Sequence, residues 1–240
     1  MIRTTFIFLL LFIFFIITIP FIPILLIIGL FSKTARDKIA FALVRAVFKI
    51  ILFITGSKVE ITGKENLPKD QPVLYIGNHN SLLDVVIGYI LVPDLTGFIA
   101  KKELMKVPGL NWWMLLMNCL FLDRKNTRSG LEIIKTASDY IKNGISIFVF
   151  PEGTRSRTGE LADFKEGTFK IATLTKCQII PIAFTGTADI FENHFPKVKP
   201  SHVTVTIGAP INTAELSRAE QKKLGATTKE LIAEMISKKQ

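Results

Sequence analysis

Between Arg3 and Lys33 the chain carries no charged side chain. As a single helix that stretch would be about 43 Å long, well over the ~30 Å hydrocarbon core of a bilayer. Pro20 and Pro23 interrupt it. The piece from Thr4 to Pro20 is about 24 Å long as a helix, and the piece after Pro23 is shorter, so neither half spans comfortably alone. A kinked, tilted span and a segment that dips in and turns back both remain open. A cleaved signal peptide does not fit, because the apolar region is too long and no small-x-small site follows. From Lys33 to Thr55 the pattern changes. Lys38, Arg45 and Lys49 fall within about 40° on a helical wheel, opposite Leu43, Val44, Val47, Ile50, Ile51 and Ile54. A basic amphipathic helix of this kind suits the headgroup layer. The Lys/Arg cluster after the apolar segment places the main domain on the cytoplasmic side. Residues 1–57 therefore read as a membrane-associated two-helix motif, and residues 58–240 as a separate domain.

Lys and Arg number 30 against 20 Asp and Glu, a net charge of +10. That excess suits an anionic partner. Nucleic acid fits less well than anionic lipid or a phosphorylated substrate, since the basic residues do not interleave with exposed aromatics in a recognisable module. Cys119 and Cys177 each sit in apolar surroundings and read as small hydrophobes in a reduced, disulfide-free protein. Three histidines without ligand spacing argue against a metal site.

In the second part, short apolar runs alternate with helical patterns. Strands are expected at 58–62, 73–77, 97–100, 118–122, 145–150, 179–184 and 203–207. Helices are expected from Leu82, over 127–143 with Gly144 as its cap, in a short stretch ending near Thr175, and over 213–237. Asn111 to Met117 is apolar and holds both tryptophans. This alternation predicts an α/β fold, a mixed, mostly parallel sheet flanked by helices.

Val73 to Asp84 reads as a buried strand, a tight turn and a helix start. Five residues of regular helix rotate by about 140°, so His79 and Asp84 meet only if His79 precedes the helix and Asp84 lies in its first turn. Two readings compete. In one, Ser81 is an N-cap, Asp84 completes a capping box and His79 is a polar turn residue. In the other, Asp84 holds one imidazole nitrogen and leaves the second free to take a proton. A second polar cluster, Phe150-Pro151-Glu152-Gly153-Thr154-Arg155-Ser156-Arg157, follows the clearest buried strand, where α/β sheets place ligands. Gly153 allows close backbone approach, and Arg155 offers a planar fork suited to phosphate. Lys101, Arg124 and Arg155 each follow a strand. If those strands are neighbours, the cations converge near His79 as an anion site beside a base.

Together these residues resemble the glycerolipid acyltransferase family, and within it the 1-acyl-sn-glycerol-3-phosphate acyltransferases. Asn78-His79-Asn80-Ser81-Leu82-Leu83-Asp84 matches the family's Asn-His-x-Ser-x-x-Asp signature, and Phe121-Leu122-Asp123-Arg124 looks like its second block. Phe150 to Ser156 matches the third, and Ile179-Ile180-Pro181-Ile182-Ala183 resembles the fourth, an apolar strand interrupted by proline. The resemblance covers roughly residues 60–210. It implies acyl transfer from an acyl thioester, acyl-CoA or acyl carrier protein, to the sn-2 hydroxyl of lysophosphatidic acid at a phospholipid membrane. His79 would be general base, oriented by Asp84, with no covalent acyl-enzyme and no cofactor. Arg155 and Lys101 would hold the acceptor phosphate, Arg124 would join them, and Glu152, Gly153 and Thr154 would shape that pocket. Backbone amides after Ser81 are candidate oxyanion donors. Trp112, Trp113, Leu115 and Met117 are candidates for the wall of an acyl tunnel. Rival readings change the acceptor to glycerol-3-phosphate, another lysophospholipid or an amino lipid, replace it with water, or make the protein a non-catalytic lipid-binding module.

Overall fold

The apolar stretch is helical almost throughout: α1 (Ile2–Thr18), a 3-10 turn (Ile19–Phe21) and α2 (Ile22–Phe31). The structure, a computed structural model, describes residues 1–68 and 70–238. Pro20 and Pro23 do not turn the chain back, because each lies in the first turn of its element, where a backbone N–H would have no helical partner. Reversal comes at Ser32, whose extended backbone stops α2 and whose hydroxyl accepts from the Ala35 amide to cap α3 (Lys33–Thr55). α3 packs back along both α1 and α2, bringing the Arg3 guanidinium against Gly56 at the end of α3. The result is a helical hairpin with Leu30 and Phe31 exposed at its tip.

The hairpin is fastened to the domain at several points. Thr4 is buried, and its hydroxyl accepts from the Val198 amide at 2.9 Å. Asp37 is buried too, bound by Arg36 and by the Asn118 side-chain amide. Of the basic stripe expected on α3, Lys38 and Lys49 are exposed. Arg45 is not part of that stripe in the expected way. Its guanidinium donates to the Ile90 carbonyl at 2.7 Å and lies over the Phe41 ring, so it closes the end of a neighbouring helix.

Seven strands follow among the described residues: β1 (Lys58–Thr62), β2 (Leu74–Gly77), β3 (Thr96–Lys101), β4 (Leu120–Leu122), β5 (Ser146–Val149), β6 (Ile179–Thr185) and β7 (His202–Ile207). Their spatial order is β1-β7-β6-β2-β5-β3-β4. β6, β2, β5, β3 and β4 are mutually parallel; β7 runs antiparallel to β6 and parallel to β1. Side chains alternate between two cores. Tyr75, Phe148, Ile180, Ile182 and Phe184 pack with α3, α4 (Leu82–Leu91) and α5 (Leu110–Leu116). Leu74, Ile76, Ile147, Val149 and Ile179 pack with α6 (Thr127–Lys142), α7 (Lys170–Thr175) and α9 (Leu224–Ser237). Cover on both faces explains why the central strands read as continuous apolar runs.

Two local expectations are corrected. The 118–122 strand shortens to Leu120–Leu122, since Asn118 takes a left-handed turn conformation (φ 56°) just after α5. The C-terminal helix over 213–237 is two helices, α8 (Arg218–Lys222) and α9, and residues 213–217 precede them as non-helical chain. The strand expected at 179–184 is present as β6 and runs through Pro181, with the β7 ladder beginning one residue later at Ile182.

Candidate active site

The C-terminal ends of β2, β3, β4 and β5 open onto one side of the domain, and the polar segments noted in the sequence follow them. At the end of β2 the competing readings of the turn turn out to be compatible. Ser81 caps α4, its hydroxyl accepting from the Leu83 amide at 3.0 Å. Asp84 sits in the first turn with its carboxylate folded back onto the cap, and one oxygen, Oδ2, takes the Asn80 and Ser81 amides at 2.7 Å each. The same oxygen lies 3.0 Å from His79 Nδ1. With Nδ1–H donating to this fully buried carboxylate, Nε2 is the nitrogen left to accept a proton.

The imidazole itself is clamped. Its ring stacks on Phe150, 4.2 Å between centroids and 13° from parallel. The His79 amide donates to Glu152 Oε1 at 2.7 Å, and the His79 carbonyl accepts from the Ser156 amide at 2.7 Å. Beneath it, the buried Asn78 side chain exchanges two hydrogen bonds with the backbone of Phe184 on β6. The His79 side chain is 16% exposed, enough to meet a substrate while its orientation stays fixed.

Glu152 takes a role different from the one expected. It is 5% exposed, and its two oxygens accept the backbone amides of His79 and Ala162. Burial pushes its pKa above the ordinary carboxylate value, and the two amides oppose that shift. Glu152 therefore ties the His79 turn to the loop after β5 and does not line the cavity described next. Gly153 and Thr154 do line it, and Gly153 has φ 76°, a conformation that favours glycine.

A cavity of about 580 Å³ joins the remaining predicted residues. His79, Lys101, Arg124, Gly153, Thr154 and Arg155 all border it. Its volume falls in the range of ligand-binding cavities. The cations gather because β5, β3 and β4 are adjacent and parallel, so their C-terminal ends lie side by side. The Lys101 ammonium also lies 3.4 Å from Glu103 on an exposed part of the rim. The rest of the wall is apolar and comes largely from the hairpin, α4 and α5. Phe14 of α1 packs on Trp113, 5.1 Å between ring centroids. Trp113 and Met117 line the cavity as expected of a tunnel wall, but Trp112 and Leu115 are 44% and 51% exposed and lie outside it. That split follows from α5 being helical, which turns successive side chains by about 100°.

Backbone amides at the start of α4 were the expected oxyanion donors, and this is corrected. The Leu82 amide donates to Glu192 Oε1 at 2.9 Å, and the Leu83 amide is taken by Ser81. Glu192 has no signal in the sequence, since it lies 111 residues from Ser81 in a loop after β6. It accepts from the Ser81 hydroxyl and from Arg155 Nη1 at 2.8 Å. The stacking of Phe150 on His79 and the hairpin's share of the wall are equally invisible without coordinates. Among the described residues, no group of three or more His, Cys, Asp or Glu side chains is gathered as a metal site would need.

The sequence matches the acyltransferase family model over residues 58–185. It is 30% identical over 199 residues to a Borreliella burgdorferi protein named 1-acyl-sn-glycerol-3-phosphate acyltransferase, covering 83% of this chain and 80% of that one. A Saccharomyces cerevisiae protein of the same name is 34% identical over 178 residues, 72% of this chain and 58% of the yeast one. The crystal structure of the 1-acyl-sn-glycerophosphate acyltransferase of Thermotoga maritima superposes with a TM-score of 0.75 at 26% identity, covering 98% of both chains. With the family model matched from β1 through β6 and the fold shared from end to end, this chain belongs to the acyltransferase family and is an enzyme.

Proposed function

We propose that the protein moves a fatty acyl group from an acyl thioester, acyl-CoA or acyl carrier protein, to the sn-2 hydroxyl of 1-acyl-sn-glycerol-3-phosphate, forming phosphatidic acid. The acceptor follows from the names of the relatives, which are 1-acyl-sn-glycerol-3-phosphate acyltransferases. His79 Nε2 takes the hydroxyl proton as the oxygen attacks the thioester carbonyl; the tetrahedral intermediate collapses and the C–S bond breaks. The thiolate leaves and takes up the proton held by the imidazolium. Asp84 keeps Nδ1 protonated and stabilises the imidazolium between these steps. The substrate supplies the nucleophile, so no acyl-enzyme and no cofactor enter the scheme. Arg155, Lys101 and Arg124 receive the acceptor phosphate, with Gly153 and Thr154 at its edge.

A single observation carries this reading: an imidazole oriented by a buried carboxylate opens into the same cavity as three cations and a long apolar wall. The apolar part accommodates an acyl chain, and the exposed apolar hairpin keeps the cleft at headgroup height in the cell membrane. The positive residues that follow the hairpin's first arm favour the cytoplasmic face for the catalytic domain. The test is a panel of acceptors with one labelled acyl-CoA and purified protein in lipid. Lysophosphatidic acid should be acylated well ahead of glycerol-3-phosphate, lysophosphatidylcholine and water. Equal labelling of lysophosphatidylcholine would overturn the phosphate assignment, and release of free fatty acid alone would make the protein a hydrolase.

A further inference from the structure

We infer that Glu192 is a positioning residue for the acceptor phosphate, fixing Arg155 in register with the His79–Asp84 pair. The inference rests on the proposed role of Arg155. Glu192 comes from the loop after β6, and its side chain is 20% exposed. Its carboxylate has three partners: the Ser81 hydroxyl on one oxygen, and the Leu82 amide (2.9 Å) and Arg155 Nη1 (2.8 Å) on the other. Ser81 and Leu82 belong to the same helix start whose Asp84 carboxylate holds His79. One carboxylate thus ties the cation to the turn that carries the base.

An unrestrained Arg155 would be mobile, since its side chain is 44% exposed at the lip of the cavity. An arginine on a long flexible stem loses rotamer freedom when it binds an anion, and that loss weakens binding. Holding Nη1 in the unliganded protein meets that cost in advance and leaves the other guanidinium N–H groups for the phosphate. Glu192 itself is held from behind by α4, where the helix N-terminus favours a negative group. Three donors make it a fixed brace and not a stand-in that the phosphate displaces.

The experiment is steady-state kinetics of Glu192→Ala, Glu192→Gln, Arg155→Ala and the Arg155→Ala/Glu192→Ala double variant in lipid vesicles, varying lysophosphatidic acid and acyl-CoA separately. Glu192→Ala should raise the acceptor KM about tenfold, the size of one weakened charge-assisted contact, with the acyl-CoA KM unchanged. Glu192→Gln, which keeps an acceptor oxygen for Leu82 and Arg155, should recover most of that loss. The double variant should be no worse than Arg155→Ala. An unchanged or lowered acceptor KM in Glu192→Ala, with Arg155→Ala raising it, would overturn the inference and leave the Arg155 assignment standing. Arg155→Ala without any effect on the acceptor KM would overturn both. An equal rise in both KM values, with no rescue by glutamine, would reduce Glu192 to a fold-stabilising contact.

Discussion

At the scale of single residues, the site depends on one carboxylate doing two things. Asp84 closes the capping box of α4 and orients His79 with the same oxygen. His79→Ala should lower kcat by about 10²–10⁴-fold, the usual worth of a general base, with little change in the thermal unfolding midpoint. Asp84→Asn should lose both activity and stability, because an amide cannot take the place of a buried anion at a helix start; kinetics and thermal melts on the same preparation separate the two losses. Glu152 gives a pH prediction. Its pKa is raised by burial above the ordinary value of 4.5, so between that value and its raised one the folded state holds more protons than the unfolded. Stability therefore falls as pH rises through that window. Glu152→Gln removes this slope and also loses one of two buried amide contacts, a cost of about 1–3 kcal/mol at neutral pH. Denaturant titrations of both proteins at several pH values measure it; parallel curves would show that Glu152 contributes nothing to the pH dependence.

At the scale of elements, the register between β3 and its surroundings decides where two of the cations stand. A Cβ on Gly97 would lie 2.1 Å from the Asn118 carbonyl oxygen, a backbone atom that cannot swing away. Gly97→Ala should therefore cost about 3 kcal/mol. The strain falls on the strand that ends in Lys101 and on the turn leading to β4, so the acceptor KM should rise as well. Chemical denaturation and acceptor titration test the two effects; a stability within about 0.5 kcal/mol of the parent would mean that the two segments part easily.

At the scale of the whole molecule, the hairpin is a wall of the cavity and carries the apolar outer face proposed to meet the membrane. Val44 and Phe41 of α3 belong to the core beneath the sheet, so removing the hairpin would strip the domain's own packing. Substitutions on its outer face are the cleaner probe. Phe12 is 62% exposed and Phe53 is 85% exposed. Phe12→Asp with Phe53→Asp should weaken binding to phospholipid vesicles by at least about tenfold while leaving the circular dichroism unchanged, since each phenyl moved out of lipid costs about 2 kcal/mol. Vesicle flotation gives the answer, and undiminished binding would contradict membrane contact through this face. Val47 borders the cavity from the hairpin side. Val47→Trp should shift donor preference toward shorter acyl chains in competition assays; an unaltered chain-length profile would remove the hairpin from the acyl wall.

The sequence by itself determined the alternation of strands and helices, the charge-free first segment, the His79-to-Asp84 spacing and the family. Those properties are local: buried parallel strands need apolar runs, a helix start needs a cap, and a base before that helix needs its partner in the first turn. Only the tertiary structure decided what lies beside what. The strand order brought Lys101, Arg124 and Arg155 to one edge, the loop after β6 delivered Glu192 from 111 residues away, and the fold turned Arg45 and Glu152 inward onto backbone groups. Such pairings depend on distances across the sheet, and a one-dimensional pattern of residue types does not encode them.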